Sequence, residues 1–340
     1  MESAAIRDNI ERFLCDATRA SQVAIQRQER LSGGAIQENW ALSVEIIGGA
    51  YAGCHEWVLR TDAPSAVAAS LSRAQEYAVL RSAYAAGVKV PRPLWLCRNL
   101  AVTGREFFVM ERLQGTAAGH RLTKGRELVP DGAALAEELG ANLARLHTIT
   151  PPQADLAFLP ACKTNPALQA VAECRGYLDT LEESFPLLEW GLRWCEVNAP
   201  ACKSIRLLHR DYRTGNYMVD QGKLSGVLDW EFTGWGDPRE DIGWFTAKCW
   251  RFNQPQCEAG GIGSVQDFLR GYASVSECTV SRTELTYWQI MAHLRWAVIG
   301  LQQAHRHLSG QERSLELALT GRMIAELEFD ILELTKGGNA

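Results

Sequence analysis

Apolar residues in the first part of the chain come in short bursts separated by turn sequences. WALSVEII (40–47), HEWVLRT (55–61) and REFFVME (105–111) are rich in β-branched and aromatic residues, the composition of strands. Between the second and third lies SAVAASLSRAQEYAVLRSAYAAG (65–87), Ala- and Leu-rich, which predicts a long helix behind Pro64 with Ser65 as its cap and Gly87 as its stop. Pro91 and Pro93 then mark a loop. After Gly115 the period changes. DGAALAEELGANLARLH (131–147) opens at Asp131, sets Leu135, Leu139, Leu143 and Leu146 on one stripe and closes before Pro151. Helical patterns prevail from there to the end, except around 205–230. The pattern is that of an α+β chain: a β-rich N-terminal lobe over 1–113, a connection near 111–116, and a mainly helical C-terminal lobe over 114–340.

Composition narrows the possible partners. Of 340 residues, 46% are apolar and 22% charged, the proportions of a globular protein with a sizeable core. The net charge is −5 and no Lys/Arg run occurs, so nucleic acid and anionic membrane surfaces are not expected partners. The first residues, MESAAIRDNIERFLCDATRA, mix charged and apolar positions at helical spacing and lack the apolar region of a signal peptide. No stretch reaches the ~18 apolar residues of a membrane span. The ten cysteines form no C-x-x-C pair, which favours reduced thiols in a cytoplasmic protein over a disulfide framework or a zinc site.

The chemistry concentrates in 205–230. NYMV and LSGVLDW are strand candidates, and DQGK (220–223) between them is a turn with Gly222 available for positive φ. Folding that hairpin about residue 222 sets Asn216 beside Leu228 and Asp229, with Asp211 on the loop feeding the first strand. Two carboxylates and an amide at one end of a hairpin suit Mg²⁺, which takes few protein oxygens and fills its shell with water and phosphate. The spacing H-R-D-x-x-x-x-N, met by His209-Arg210-Asp211 and Asn216, is the layout of phosphoryl transfer, in which one acid serves as base and the amide and a later Asp hold metal. His209 reads as a loop-holding hydrogen bonder, Asp241 as a partner of loop backbone, and His147 as a core residue. His305 and His307, two apart on a helix, face different directions.

With these residues in view, the chain resembles the aminoglycoside phosphotransferase and choline kinase-like family, nearest the branch similar to domains fused to acyl-CoA dehydrogenases. The pieces that carry the likeness are LSGGAIQEN (31–39), QEYAVL (75–80), FFVMERLQG (107–115), LARLH (143–147), LLHRDYRTGN (207–216) and VLDWEFTGWGDPREDIG (227–243). The resemblance implies a bilobal protein-kinase-like fold, with residues 1–113 as the nucleotide-binding lobe and hinge. It implies Asp211 as the catalytic base, and Asn216 and Asp229 as Mg²⁺ ligands. Ser32, Gly33 and Gly34 would cover the phosphates of ATP, Glu76 would pair with the base of the third strand, and Met110, Glu111 and Leu113 would meet adenine. Taken alone, Gly33-Gly34 equally fits a hairpin turn. Two departures stand out: Arg60 occupies the place of the family's strand-three lysine, and DWE replaces D-F-G with no A-P-E downstream.

The expected function is an ATP- and Mg²⁺-dependent phosphotransferase acting on a hydroxyl of a small molecule. The rivals are a non-catalytic nucleotide-binding pseudokinase, for which Arg60 is the best argument, and a true aminoglycoside kinase. Between 241 and 308 five acids face six Lys/Arg, which is no trap for a polycation, while Trp235, Trp244, Trp250, Trp288 and Trp296 all follow Asp229. An uncharged or anionic acceptor with apolar bulk is therefore expected over a classical aminoglycoside.

Overall fold

The computed structural model describes residues 3–31, 37–62, 70–162 and 165–337. Its backbone groups into two units, the first of Met1–Gly115, Pro152–Phe158 and Ser225–Thr233, the second of Thr116–Pro151, Leu159–Leu224 and Gly234–Ala340.

In the first unit, period-two alternation builds a sheet with two different faces. After helix α1 (Ala4–Thr18) come strands β1 (Gln22–Arg30), β2 (Gln37–Ile47) and β3 (Gly53–Asp62), helix α2 (Arg73–Ala85), strand β4 (Pro93–Cys97), a single turn α3 (Leu100–Thr103) and strand β5 (Phe107–Glu111). The strands pair antiparallel in the order β1-β2-β3-β5-β4. Leu42 stands opposite Trp57, and Leu59 lies between Trp40 and Val109; with Ile10 and Leu14 of α1 they form the buried core of this unit. The alternate positions point to the other face, where Val58 pairs with Met110 and Arg60 with Phe108. Helix α2 covers that face, its Tyr77 ring 5.8 Å from Phe108. Alternation thus places an arginine under a helix.

Two expectations are corrected. Helix α2 does not start at Ser65; Ser72 caps it, with Gln75 closing a reciprocal capping box, while residues 63–69 lie outside the described residues. Pro93 is not in a loop but opens β4, an edge strand, where a missing N–H costs no ladder bond. The polar strand β1 was not legible as a strand, because only Val23 and Ile25 of its nine residues are fully buried.

The second unit is helical. It runs through α4 (Gly119–Leu122), α5 (Gly132–Leu146), α6 (Pro166–Leu178), α7 (Pro186–Val197), strands β6 (Arg206–Leu208) and β7 (Tyr217–Asp220), the start of β8 (Lys223–Val227), β9 (Gly234–Gly236), α8 (Arg239–Thr246), α9 (Val265–Ala273), α10 (Arg282–Leu308), α11 (Leu315–Arg322) and α12 (Ile324–Gly337). Asp131 caps α5 by accepting from Ala134 N–H, and Leu135, Leu139, Leu143 and Leu146 are buried as the stripe requires. β7 and β8 pair across the turn Gln221–Gly222, whose φ values of 49° and 77° are those of a tight primed hairpin turn. Asn216 precedes β7 and Asp229 follows β8, so neither belongs to the paired strands as the longer strand candidates implied.

Helices α5 and α9 approach through glycine. A Cβ at Gly140 would lie 1.9 Å from the Phe268 carbonyl oxygen, and one at Gly271 1.8 Å from that of Glu137. The obstacle is backbone, so the helices themselves must separate to admit a methyl group. Gly140→Ala is expected to destabilise by roughly 1–3 kcal/mol, the usual cost of overpacking. A urea unfolding curve with an unchanged midpoint would refute this.

No helix among the described residues is long and apolar enough to cross a membrane. All ten cysteines are free thiols.

Candidate active site

In the second unit, β6 delivers the chain into the segment His209-Arg210-Asp211, and a buried carboxylate shapes the delivery. Asp241, in the first turn of α8, accepts from the backbone N–H of His209 (2.8 Å) and of Arg210 (2.7 Å). His147, at the end of α5, reaches the same Asp241 at 3.2 Å through Nε2 and the Tyr272 hydroxyl at 2.8 Å through Nδ1. These bonds hold Arg210 at φ 62°, a left-handed conformation that a non-glycine residue keeps only under such constraint. His209 Nδ1 accepts from the Asp211 N–H at 3.1 Å, the loop-holding role expected of it. Burial pushes the Asp241 carboxyl upward, but the hydrogen bond and charge of His147, with the charge and N–H of His209, outweigh it and hold the group below the usual carboxylate range.

That lowered value fixes a sign. Asp241 binds fewer protons folded than unfolded, so its stabilisation is complete above the unfolded value of about 4 and is lost as pH falls through the lower folded value. Asp241→Asn turns an amide donor toward two N–H donors in a fully buried site. It is expected to cost roughly 3–5 kcal/mol at pH 7 and less at pH 3. Denaturant melts at both pH values check the sign; an equal loss at both would contradict it.

The Asp211 carboxylate is itself fixed by three side chains. Oδ1 accepts from Arg213 Nε (3.1 Å) and Trp244 Nε1 (3.0 Å), and Oδ2 from Asn216 Nδ2. The Asn216 amide also donates to the Asp211 carbonyl at 3.0 Å. With its nitrogen committed to Asp211, Asn216 has Oδ1 as the atom available to a cation, the oxygen donor that Mg²⁺ requires. The Asp211 side chain remains 15% exposed, so the carboxylate is reachable.

The first unit gathers a second set. Arg60 Nε donates to Glu76 Oε2 (3.1 Å) and Nη2 lies 2.9 Å from Oε1; the same Nη2 reaches Asp229 Oδ1 (3.2 Å), and Nη1 reaches Asn39 Oδ1 (3.3 Å). Arg73, the first residue of α2, shares Glu76 and also bonds Asp62 at 2.8 Å. Burial works against the Arg60 charge, but Glu76 and Asp229 more than offset it and raise its pKa. Asp229 sits at φ 59° and is 39% exposed on its side chain. Among the described residues Arg60 is its one hydrogen-bond partner, so Oδ2 remains for another ligand. Glu231 is bonded by Gln37, and burial, followed by the charge of Asp229, pushes its carboxyl up to about 7.

The structure therefore brings together Asp211 with Asn216, and Arg60 with Glu76 and Asp229. Met110 shares the sheet face of Arg60, while Glu111 is exposed at the end of β5, its N–H bonded to the Arg92 carbonyl. Leu113 lies against Gly226, where a Cβ would come within 2.7 Å of its Cδ1. Ser32, Gly33 and Gly34 lie outside the described residues. Among the described residues no group of three or more His, Cys, Asp or Glu is placed to hold a metal, so any ion here would rest on few protein ligands. Arg73, Arg213, Trp244 and Glu231 escaped sequence reasoning. Trp244 stands 33 positions from Asp211, and no local pattern announces such a bond.

Acyl-CoA dehydrogenase family member 11 of Pongo abelii is 23% identical over 302 residues, covering 84% of this chain but 38% of its own length. Family member 10 of Mus musculus is 23% identical over 270 residues, 75% of this chain and 25% of its own. The chain thus spans less than two-fifths of the curated relatives it matches. Among solved structures, a candidate aminoglycoside phosphotransferase of Ralstonia eutropha superposes with a TM-score of 0.76 at 19% identity, covering 97% of this chain and 98% of the other. A spectinomycin phosphotransferase in complex with ADP and spectinomycin gives 0.61 at 13% identity, covering 95% and 98%. A choline/ethanolamine kinase family protein of Mesorhizobium loti gives 0.57 at 17%, covering 91% and 87%. At such identities the likeness establishes the fold, which is the kinase-like one expected, with a five-stranded antiparallel sheet followed by a helical part. Residues 27–278 match the model of one family over most of the chain, and the protein belongs to the phosphotransferase enzyme family.

Proposed function

We propose that the protein is a small-molecule kinase that transfers the γ-phosphate of ATP, with Mg²⁺, to a hydroxyl group. The observation that carries this reading is the Asp211 carboxylate, held by Arg213, Trp244 and Asn216 yet open to solvent. Phosphoryl transfer asks a protein mainly for positioning and charge compensation, and an immobilised acid meets that demand. Asp211 orients the acceptor hydroxyl and takes its proton. Asn216 Oδ1 and Asp229 Oδ2 are the oxygens assigned to the metal, Met110, Glu111 and Leu113 the contacts to adenine, and Ser32, Gly33 and Gly34 the cover of the phosphates. Bound Mg–ATP supplies the phosphoryl group and neutralises the charge that develops on it. Solved relatives crystallised with ADP or with AMP-PNP support the use of a nucleotide.

One observation favours the pseudokinase alternative. Every nitrogen of Arg60 already has a carboxylate or amide partner, which leaves a single N–H, on Nη1, for a phosphate. The test is mass spectrometry of a panel of hydroxylated compounds incubated with the protein and Mg–ATP. Gain of one phosphoryl mass on any member supports the kinase. Nucleotide binding with no acceptor modified across the panel would favour the pseudokinase. Kanamycin-type compounds are expected to be poor acceptors, because polycations gain nothing from a segment in which arginines balance the acids.

A further inference from the structure

Two arginines next to Asp211 keep hydrogen-bond donors in reserve. Arg213 gives Nε to Asp211 Oδ1 (3.1 Å) and Nη1 to the Thr214 carbonyl (3.4 Å), and its guanidinium lies 4.7 Å over the Trp250 ring. Arg295, on α10, gives Nη1 to the Arg210 carbonyl (2.7 Å) and lies 4.7 Å over the ring of Trp244, whose own N–H binds the same Asp211 Oδ1. The two indoles pack at a tilt with centroids 5.1 Å apart, and Trp296 extends the cluster 4.8 Å beyond Trp250. Arg213 thus touches the carboxylate directly, and Arg295 is set one indole, Trp244, away from it. Among the described residues Nη2 of neither arginine has a hydrogen-bond partner, and the two side chains remain 29% and 27% exposed. The acid nearest Arg295, Glu240, is 3.8 Å away and also faces Arg210 at 3.7 Å.

We propose that Arg213 and Arg295 form a clamp for an oxyanion, a carboxylate or a phosphate, carried by the hydroxylated acceptor; this rests on the reading of Asp211 as the base. A guanidinium stacked on an indole is already immobilised, so it surrenders little freedom when it binds. Its remaining N–H groups match the two oxygens of a carboxylate or phosphate. Arg213 bonds Asp211 itself and Arg295 bonds the neighbouring Arg210 carbonyl, so both charges stand beside one candidate catalytic position. The same pair of charges repels a polycation, which gives the site selectivity by exclusion as well as by attraction.

The test compares matched acceptors that differ in charge: 3-hydroxyoctanoate with its methyl ester, and glycerol 3-phosphate with glycerol. ADP release gives kcat/KM, and calorimetric titration gives binding apart from turnover. The wild-type protein is expected to prefer the charged member of at least one pair by roughly tenfold or more, the scale of a hydrogen bond to a charged group. Which pair responds tells carboxylate from phosphate. Arg295→Gln retains a donor for the Arg210 carbonyl but removes the charge, and should bring the ratio close to one chiefly through KM; Arg295→Lys should restore part of it. Equal handling of charged and neutral members by the wild type, or an unaltered ratio in Arg295→Gln, overturns the clamp. If no acceptor is turned over, the kinase reading fails for these compounds, and calorimetry still decides the clamp, since binding without preference for the anion overturns it.

Discussion

Asp211→Asn is expected to lower turnover by roughly 10²–10⁴-fold, the usual effect of removing a general base. The substitution keeps the size of the side chain and can still accept from Trp244 and Arg213 through its remaining oxygen. It places an amide nitrogen opposite the donating amide of Asn216, so that one bond is lost as well. Nucleotide affinity should change little, because the loss falls on the acceptor hydroxyl. Single-turnover measurement at saturating nucleotide separates the two effects. A variant with wild-type turnover would remove Asp211 from the role of base.

The second large effect is expected at the metal. Asp229→Ala should weaken Mg²⁺-dependent nucleotide binding by at least the roughly 10–100-fold that loss of a mere outer partner of a metal ligand costs. Asn216→Ala should cost less, since a neutral amide contributes less than a carboxylate to holding a divalent ion. Stability is the control. The Arg60–Asp229 contact is partly exposed on the aspartate side and is worth at most about 1 kcal/mol, so Asp229→Ala should fold normally. Glu76→Ala should not: it leaves Arg60 and Arg73, at 5% and 0% exposure, without their shared acid and should cost roughly 3–5 kcal/mol. Nucleotide titrations with and without Mg²⁺, beside denaturant melts of both variants, check the pair of outcomes. If Asp229→Ala keeps the metal dependence of the wild type, Asp229 is not a metal ligand.

What the chain reveals as text is what depends on neighbours in sequence. The stripe of α5 and its opening at Asp131, the strand composition of β2 and β3, and the turn at Gly222 are set by near neighbours in sequence, and all were legible. The sequence set Asp211 and Asn216 in one short loop, but the bonds from the Asn216 amide to Asp211 came from the structure. The start of α2 was misplaced for the same local reason: an Ala-rich segment reads as helix throughout, whereas the Ser72–Gln75 box decides where the helix begins. The strand β1 stayed hidden because a largely exposed strand carries too little alternation to stand out. The tertiary structure alone decided which distant residues complete the sites. Asp241 was read as a partner of loop backbone, but only the structure shows that the backbone is that of His209 and Arg210, about thirty positions away; Trp244 and Arg295 reach the Asp211 loop from α8 and α10, and Asp229 meets Arg60 from 169 positions away. Periodicity reports which face of an element is buried, but not which element is buried against it; that choice is made by packing, and these hydrogen bonds follow from it.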